Sequence, residues 1–170
     1  MIERHGEAGT IGSGFVHGFG LQRGAIASTV AHDAHNLVIV GVSHASMARL
    51  ANHLRTVGGG IGVYNPAPED VGGTLTTLEL PIAGLLSRDP PAAVASTLAA
   101  VDDAARDLGL SLPGGVMELD NLTLEVIPEL RLTDRGLVDV RAGSFVDVVL
   151  DTGPENNRPR SPDSADESER

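Results

Sequence analysis

Two short apolar runs with a polar block wedged between them constrain this chain more than any other feature. Residues 25–31 read AIASTVA and residues 37–41 read LVIVG. Both are too short for stable helices and rich in β-branched residues, which marks them as strands, the second of the continuously apolar kind that is buried on both faces. Between them stand His32, Asp33, Ala34, His35 and Asn36. A chain that buries both runs in one sheet has to turn where this block lies.

The rest of the pattern alternates in type. Ser43 suits a helix N-cap, and Met47, Leu50, Ala51, Leu54 and Val57 follow at helical spacing until Gly58-Gly59-Gly60. Ile61–Tyr64 and Thr74–Leu80 read as strands around a Pro- and Gly-containing loop at 65–73. A second helix begins at Pro90 and Pro91, where a missing N–H costs nothing, and carries the stripe Val94, Leu98, Val101, Ala105 and Leu108 up to Gly109. Leu122–Ile127, Leu130–Thr133 and Phe145–Leu150 read as further short strands, with Asp134-Arg135-Gly136 as a turn. This order predicts an α+β fold: a mixed, largely β sheet with two main helices packed on it, in a single domain. Residues 1–14 read as a polar, Gly-rich lead-in, 15–150 as the domain, and 151–170 as a disordered acidic tail.

Composition removes whole classes of function. The 170 residues contain no Cys, so disulfides, thiolate nucleophiles and thiolate zinc sites are excluded. The net charge is −11, of which the tail carries −3, so the body is acidic too and repels a phosphate backbone; no nucleic-acid partner is expected. Aromatic residues are only 2%, which leaves few platforms for stacking a nucleobase. The first residues lack the apolar stretch of a signal peptide, and the longest apolar run, Leu37–Val42, is far too short to span a bilayer. No membrane partner and a cytoplasmic location are therefore expected.

The polar block is the strongest candidate for chemistry. Two imidazoles, a carboxylate and an amide at a strand end can bind a metal or position a water and a heterocycle. In a straight strand His32 and His35 would face opposite ways, so they share a site only if the chain turns between them. The competing reading is a polar connection whose side chains cap backbone groups, and H-x-x-H is a weak pattern alone. His5, His17, His44 and His53 read as solvent-exposed. The Gly58–Gly60 triplet follows a helix rather than preceding one, so it reads as a helix stop with close packing and not as a phosphate cradle. Asp102, Asp103 and Asp107 read as a solvated helix face.

Gly14–Gly41, GFVHGFGLQRGAIASTVAHDAHNLVIVG, is very similar to a signature of bacterial adenine deaminases of the amidohydrolase superfamily. The resemblance continues through the Gly triplet, LPIAGLLS at 80–87 and VIPELRLTDRGLVDV at 126–140, and covers roughly residues 2–146. It implies the C-terminal domain of an enzyme that hydrolyses adenine to hypoxanthine and ammonia with a divalent metal, manganese or iron, held in a (β/α)-barrel. The barrel's H-x-H pair occurs nowhere in this sequence. What the resemblance implies is thus a fragment that works with a barrel supplied in cis or in trans, with adenine as substrate. His32, Asp33 and His35 become candidate catalytic residues, His32 and His35 also possible metal ligands, and Asn36 a candidate substrate-binding residue. Three features depart from the family pattern: Ala34 stands where Ser is common, the loop at 65–73 is longer and more Pro-rich than a simple hairpin turn, and Met117–Leu124, MELDNLTL, is more polar than the apolar, aromatic-containing run expected there.

The alternative is a non-catalytic module for homodimerisation or for purine or metal binding. A free-standing hydrolase built on the HDAH block alone fits least, because a purine site also needs walls and a base.

Overall fold

The computed structural model describes residues 1–68 and 72–149. The acidic tail expected from residue 151 and part of the loop at 65–73 lie outside the described residues. The elements are β1 (Ala25–Ser28), β2 (Val38–Gly41), α1 (His44–Val57), β3 (Gly60–Pro66), β4 (Gly73–Glu79), α2 (Pro91–Asp107), a 3-10 helix (Gly115–Thr123), β5 (Leu130–Thr133), β6 (Gly136–Asp139) and β7 (Ser144–Val146). The α+β class with two long helices holds. The strands form two antiparallel sheets, ordered β2-β1-β3-β4 and β5-β6-β7.

The larger sheet is covered on both faces, and the period of two in its strands decides which side chain meets which helix. Ile26, Ile61, Val63 and Leu78 pack with Val101, Ala105 and Leu108, so α2 covers one face. Ala25, Ala27 and Tyr64 pack with Leu50 and Leu54, so α1 covers the other. The α1 face of the sheet is built from small residues. A Cβ at Gly62 would come within 3.1 Å of Leu50 Cδ1, so the missing side chain is what admits the leucine.

The helix ends follow the sequence signals. Ser43 Oγ accepts from the Ser46 N–H at 3.2 Å, and Gly58 closes α1 at φ 87°. Pro91 opens α2. Gly59 lies against the 80–86 turn, where an added Cβ would stand 2.6 Å from Gly84 Cα. The triplet is thus a helix stop with close backbone packing.

Three expectations are corrected. Leu122–Ile127 is not a strand: its first residues end the 3-10 helix and the remainder is irregular. β6 was not anticipated; four residues after a tight turn carry too little pattern to register. Phe145–Leu150 contributes only β7, Ser144–Val146, to the second sheet, and Leu150 lies outside the described residues. No helix among the described residues is long and apolar enough to cross a membrane.

Residues 1–14 hold no named element, yet they are tied to the domain. Ile2 bridges Leu37 and Ile11, the Arg4 N–H donates to Asn36 Oδ1 at 2.9 Å, and Thr10 Oγ1 donates to Asp134 Oδ2 at 2.7 Å.

Candidate functional site

The β1–β2 connection carries the polar block at its tip. The chain does turn there: the His35 N–H donates to Ala31 O at 2.8 Å, and His35 itself sits at φ 52°. That left-handed conformation is uncommon for a side-chain-bearing residue but tolerated by His more than by most. The turn therefore places both imidazoles together, with ring centroids 6.1 Å apart and planes at 67°.

Each candidate is held differently. His35 Nδ1 lies 2.7 Å from Val30 O. A carbonyl oxygen only accepts, so Nδ1 carries the proton and Nε2 is left with a free lone pair in the neutral ring. His32 is about half exposed (49%) and Asp33 largely so (78%), with 3.9 Å between Nδ1 and Oδ1, a loose surface pair. Asn36 is buried, its Oδ1 accepting from the Arg4 N–H and its Nδ2 donating to Asp134 Oδ1 at 3.2 Å. Both ends of its amide are thus engaged within the domain, joining the lead-in, the turn and the β5–β6 corner.

Several residues around the turn were not singled out by sequence reasoning. Arg4 donates from Nη1 to His35 O at 2.8 Å, and His5 Nε2 meets the same oxygen at 3.0 Å. Burial pushes the Arg4 guanidinium below its ordinary value, since a cation loses hydration there. Thr123 Oγ1 donates to His32 O at 2.8 Å. Asp120, in the 3-10 helix, is 2% exposed and accepts the Ala31 N–H at Oδ1, 2.9 Å. Its Oδ2 is buried without a hydrogen-bond partner. Burial raises the Asp120 carboxyl above the usual carboxylate range, opposed by Ser28, the Ala31 amide and the imidazoles of His32 and His35. The nearby Ser28 hydroxyl favours the ionised form without completing a hydrogen bond to Oδ2. The signal for Asp120 was the unexpected polarity of 117–124. Arg4 and His5 gave no signal, because their partner lies some thirty positions away.

The other polar residues sort themselves by contact. His17 and His44 are exposed, whereas His53 is half-buried with Nε2 3.0 Å from Thr77 Oγ1. Asp102 departs from the solvated-face reading: its Oδ1 accepts the Val116 N–H at 2.8 Å and pins the start of the 3-10 helix to α2. A shallow depression of about 380 Å³ on α1, lined by Ala45, Ala48, Arg49, Asn52 and Tyr64, contains neither imidazole of the turn. Among the described residues no group of three His, Asp or Glu side chains is arranged to hold a metal ion.

A four-stranded sheet packed between two helices, with a His-Asp-x-His turn at the tip of its β1–β2 hairpin, defines a domain of the α+β class. The family model for the adenine deaminase C-terminal domain matches residues 1–144, and the chain belongs to that family. It is 51% identical over 149 residues to an adenine deaminase of Moorella thermoacetica, covering 88% of this chain and 24% of the relative. It is 48% identical over 146 residues to an adenine deaminase of Brucella abortus, covering 86% and 24%. An adenine deaminase of Cereibacter sphaeroides is 51% identical over 140 residues, covering 82% and 24%. The chain thus spans about a quarter of the length of these curated relatives.

Proposed function

We propose that this domain contributes to the hydrolytic deamination of adenine to hypoxanthine and ammonia, closing an active site whose metal-bearing barrel is supplied by a further segment of the same chain or by a separate chain. The observation that carries the proposal is the His35 imidazole: Nδ1–H is committed to Val30 O, so Nε2 is oriented and free. Its neighbour His32 and the exposed Asp33 complete a cluster of proton-carrying groups on a turn that the rest of the domain holds from beneath.

In the reaction a water replaces the exocyclic amino group, and ammonia leaves with a proton that the water gave up. In this reading His35 takes and returns a proton at Nε2, and His32 and Asp33 pass it to solvent. Asn36 supports the geometry through Arg4 and Asp134, and a direct hydrogen bond to substrate would use its remaining N–H. Among the described residues no three His, Asp or Glu side chains are arranged to hold a metal ion. In this reading manganese or iron belongs to the barrel, where it would supply an activated water, with His32 and His35 adding at most a ligand. The acidic charge of −11 argues against a nucleic-acid partner, and the expected setting is the cytoplasm.

The test is substitution within the reconstituted enzyme. His35→Ala is expected to lower kcat by about 10²–10⁴-fold, the usual share of general acid–base catalysis, with complex formation intact. Unchanged turnover with weakened assembly would instead support the module reading, in which the domain serves dimerisation or binding. That reading draws on exposed apolar residues, Phe15 at 92%, Val126 at 74% and Ile11 at 67%.

A further inference from the structure

We propose that Asp120 is a positioning residue for the His32–His35 turn, a buried carboxyl that fixes the entry of the turn and through it the place of both imidazoles. Its geometric half stands on this chain alone; its bearing on turnover rests on the shared-site reading above.

The 3-10 helix grips the turn at two successive residues. Asp120 Oδ1 takes the Ala31 N–H at 2.9 Å, and Thr123 Oγ1 gives its proton to His32 O at 2.8 Å. Ala31 O in turn accepts the His35 N–H, so the residue whose amide Asp120 holds is also the one on which the turn closes. Thr123 Oγ1 also lies 2.9 Å from Asp120 O, which joins the two grips within one turn of backbone. Release of the Ala31 amide would free the entry of the turn while leaving the strands of the sheet paired.

A carboxyl at this place does more than an amide acceptor requires. Oδ2 is buried and unpartnered, a costly arrangement that burial of an apolar residue would avoid. The titratable side chains acting on the carboxyl are the imidazoles of His32 and His35, and the hydroxyl beside it is Ser28 on β1. On the other elements packed against this segment, Asp102 of α2 is committed to the Val116 amide and Arg131 of β5 to the Pro128 and Leu130 carbonyls. Asp120 is therefore the buried acid that lies beneath the turn, its Oδ1 on the Ala31 amide. The polar run at 117–124, unexpected for the family, places this acid beneath the turn.

The experiment is amide and side-chain NMR of the whole chain across pH, for wild type, Asp120→Asn and Asp120→Ala. In wild type the Ala31 amide is expected to report a titration displaced upward from the ordinary aspartate range. Asp120→Asn keeps the acceptor, so protection of the Ala31 amide should persist while that titration disappears. Asp120→Ala should speed Ala31 amide exchange about tenfold, the loss of one hydrogen bond, and move the ring resonances of His32 and His35, with Ile26 and Val63 amides unchanged. Persistence of the titration in Asp120→Asn would overturn the proposal, as would an undisturbed Ala31 amide in a folded Asp120→Ala chain. In the reconstituted enzyme, Asp120→Ala should lower kcat more than it raises KM, with Asp120→Asn restoring most of the loss at neutral pH. If wild type itself gives no turnover there, the shared-site reading fails, and the NMR outcomes still decide the role of Asp120.

Discussion

The two sheets of this domain hold together by different means. In the four-stranded sheet β1 is buried at every position and β3 at five of seven, between α1 and α2. In the three-stranded sheet only Thr133 is buried, and Leu130 is exposed. The first sheet is secured by aliphatic packing, where small residues such as Ala25, Ala27 and Gly62 make room for Leu50 and Leu54. The second is secured largely by polar ties: Asp134, at its β5–β6 corner, accepts from Thr10 and Asn36. The lesson is that the rigid layer and the polar turn are separable. The layer supplies stability, and the hydrogen bonds around Asn36, Asp120 and Asp134 supply placement.

The largest effect that tests this contrast is expected from Leu50→Ala. Leu50 is fully buried, so its truncation should cost about 2–5 kcal/mol in denaturant unfolding, whereas Leu130→Ala in the second sheet should cost well under 1 kcal/mol. Equal costs would erase the distinction.

Asp134→Ala comes next. It leaves Thr10 Oγ1 and Asn36 Nδ2 without their acceptor, at an expected total of about 1–3 kcal/mol. Hydrogen exchange should rise in β5–β7 and in residues 2–12 while β1 and β3 stay protected. A uniform rise would show that the sheets unfold as one unit.

Gly84→Ala probes the turn that Arg4 covers. Gly84 sits at φ 75°, and a Cβ there would collide with the Arg4 guanidinium. About 1–2 kcal/mol of stability should be lost, since alanine is strained in this conformation and Arg4 must withdraw from His35 O. An unchanged midpoint with an unshifted His35 amide would contradict that clamp.

The smallest effect concerns pH. The Asp120 carboxyl is raised in the folded state by burial. A raised acid favours folding when protonated, so its contribution is greatest below the unfolded value of about 3.9 and is lost as pH rises through the folded value. Asp120→Asn lacks this loss, so its stability relative to wild type should improve between acid and neutral pH. A relative decline would show that the carboxylate is the favoured folded form.

How much was legible follows the same division. The two helices could be read because burial imposes a period, as in Val94, Leu98, Val101, Ala105 and Leu108, the last three of which are wholly buried. β1 and β2 were legible as apolar runs, but β2 is an edge strand in which only Val38 is buried, not one buried on both faces. The gathering of His32 and His35 required a turn that their spacing alone could not supply; it comes from the His35–Ala31 hydrogen bond and the left-handed backbone at His35. Leu122 and Leu124 mimic a strand by alternating with polar neighbours, but Thr123 is drawn back to His32 O and the chain coils instead. Asp120, Arg4 and Asp134 act across sequence separations of about thirty to over a hundred residues, where no local pattern exists.

The central claim is that this domain completes a site it does not contain whole. The most direct test measures adenine turnover, with manganese supplied, for this chain alone and mixed with the Moorella thermoacetica relative lacking its matched quarter. Turnover in the mixture and in neither component is the predicted result. Turnover by this chain alone, or none from a mixture shown to form a complex, would contradict the account.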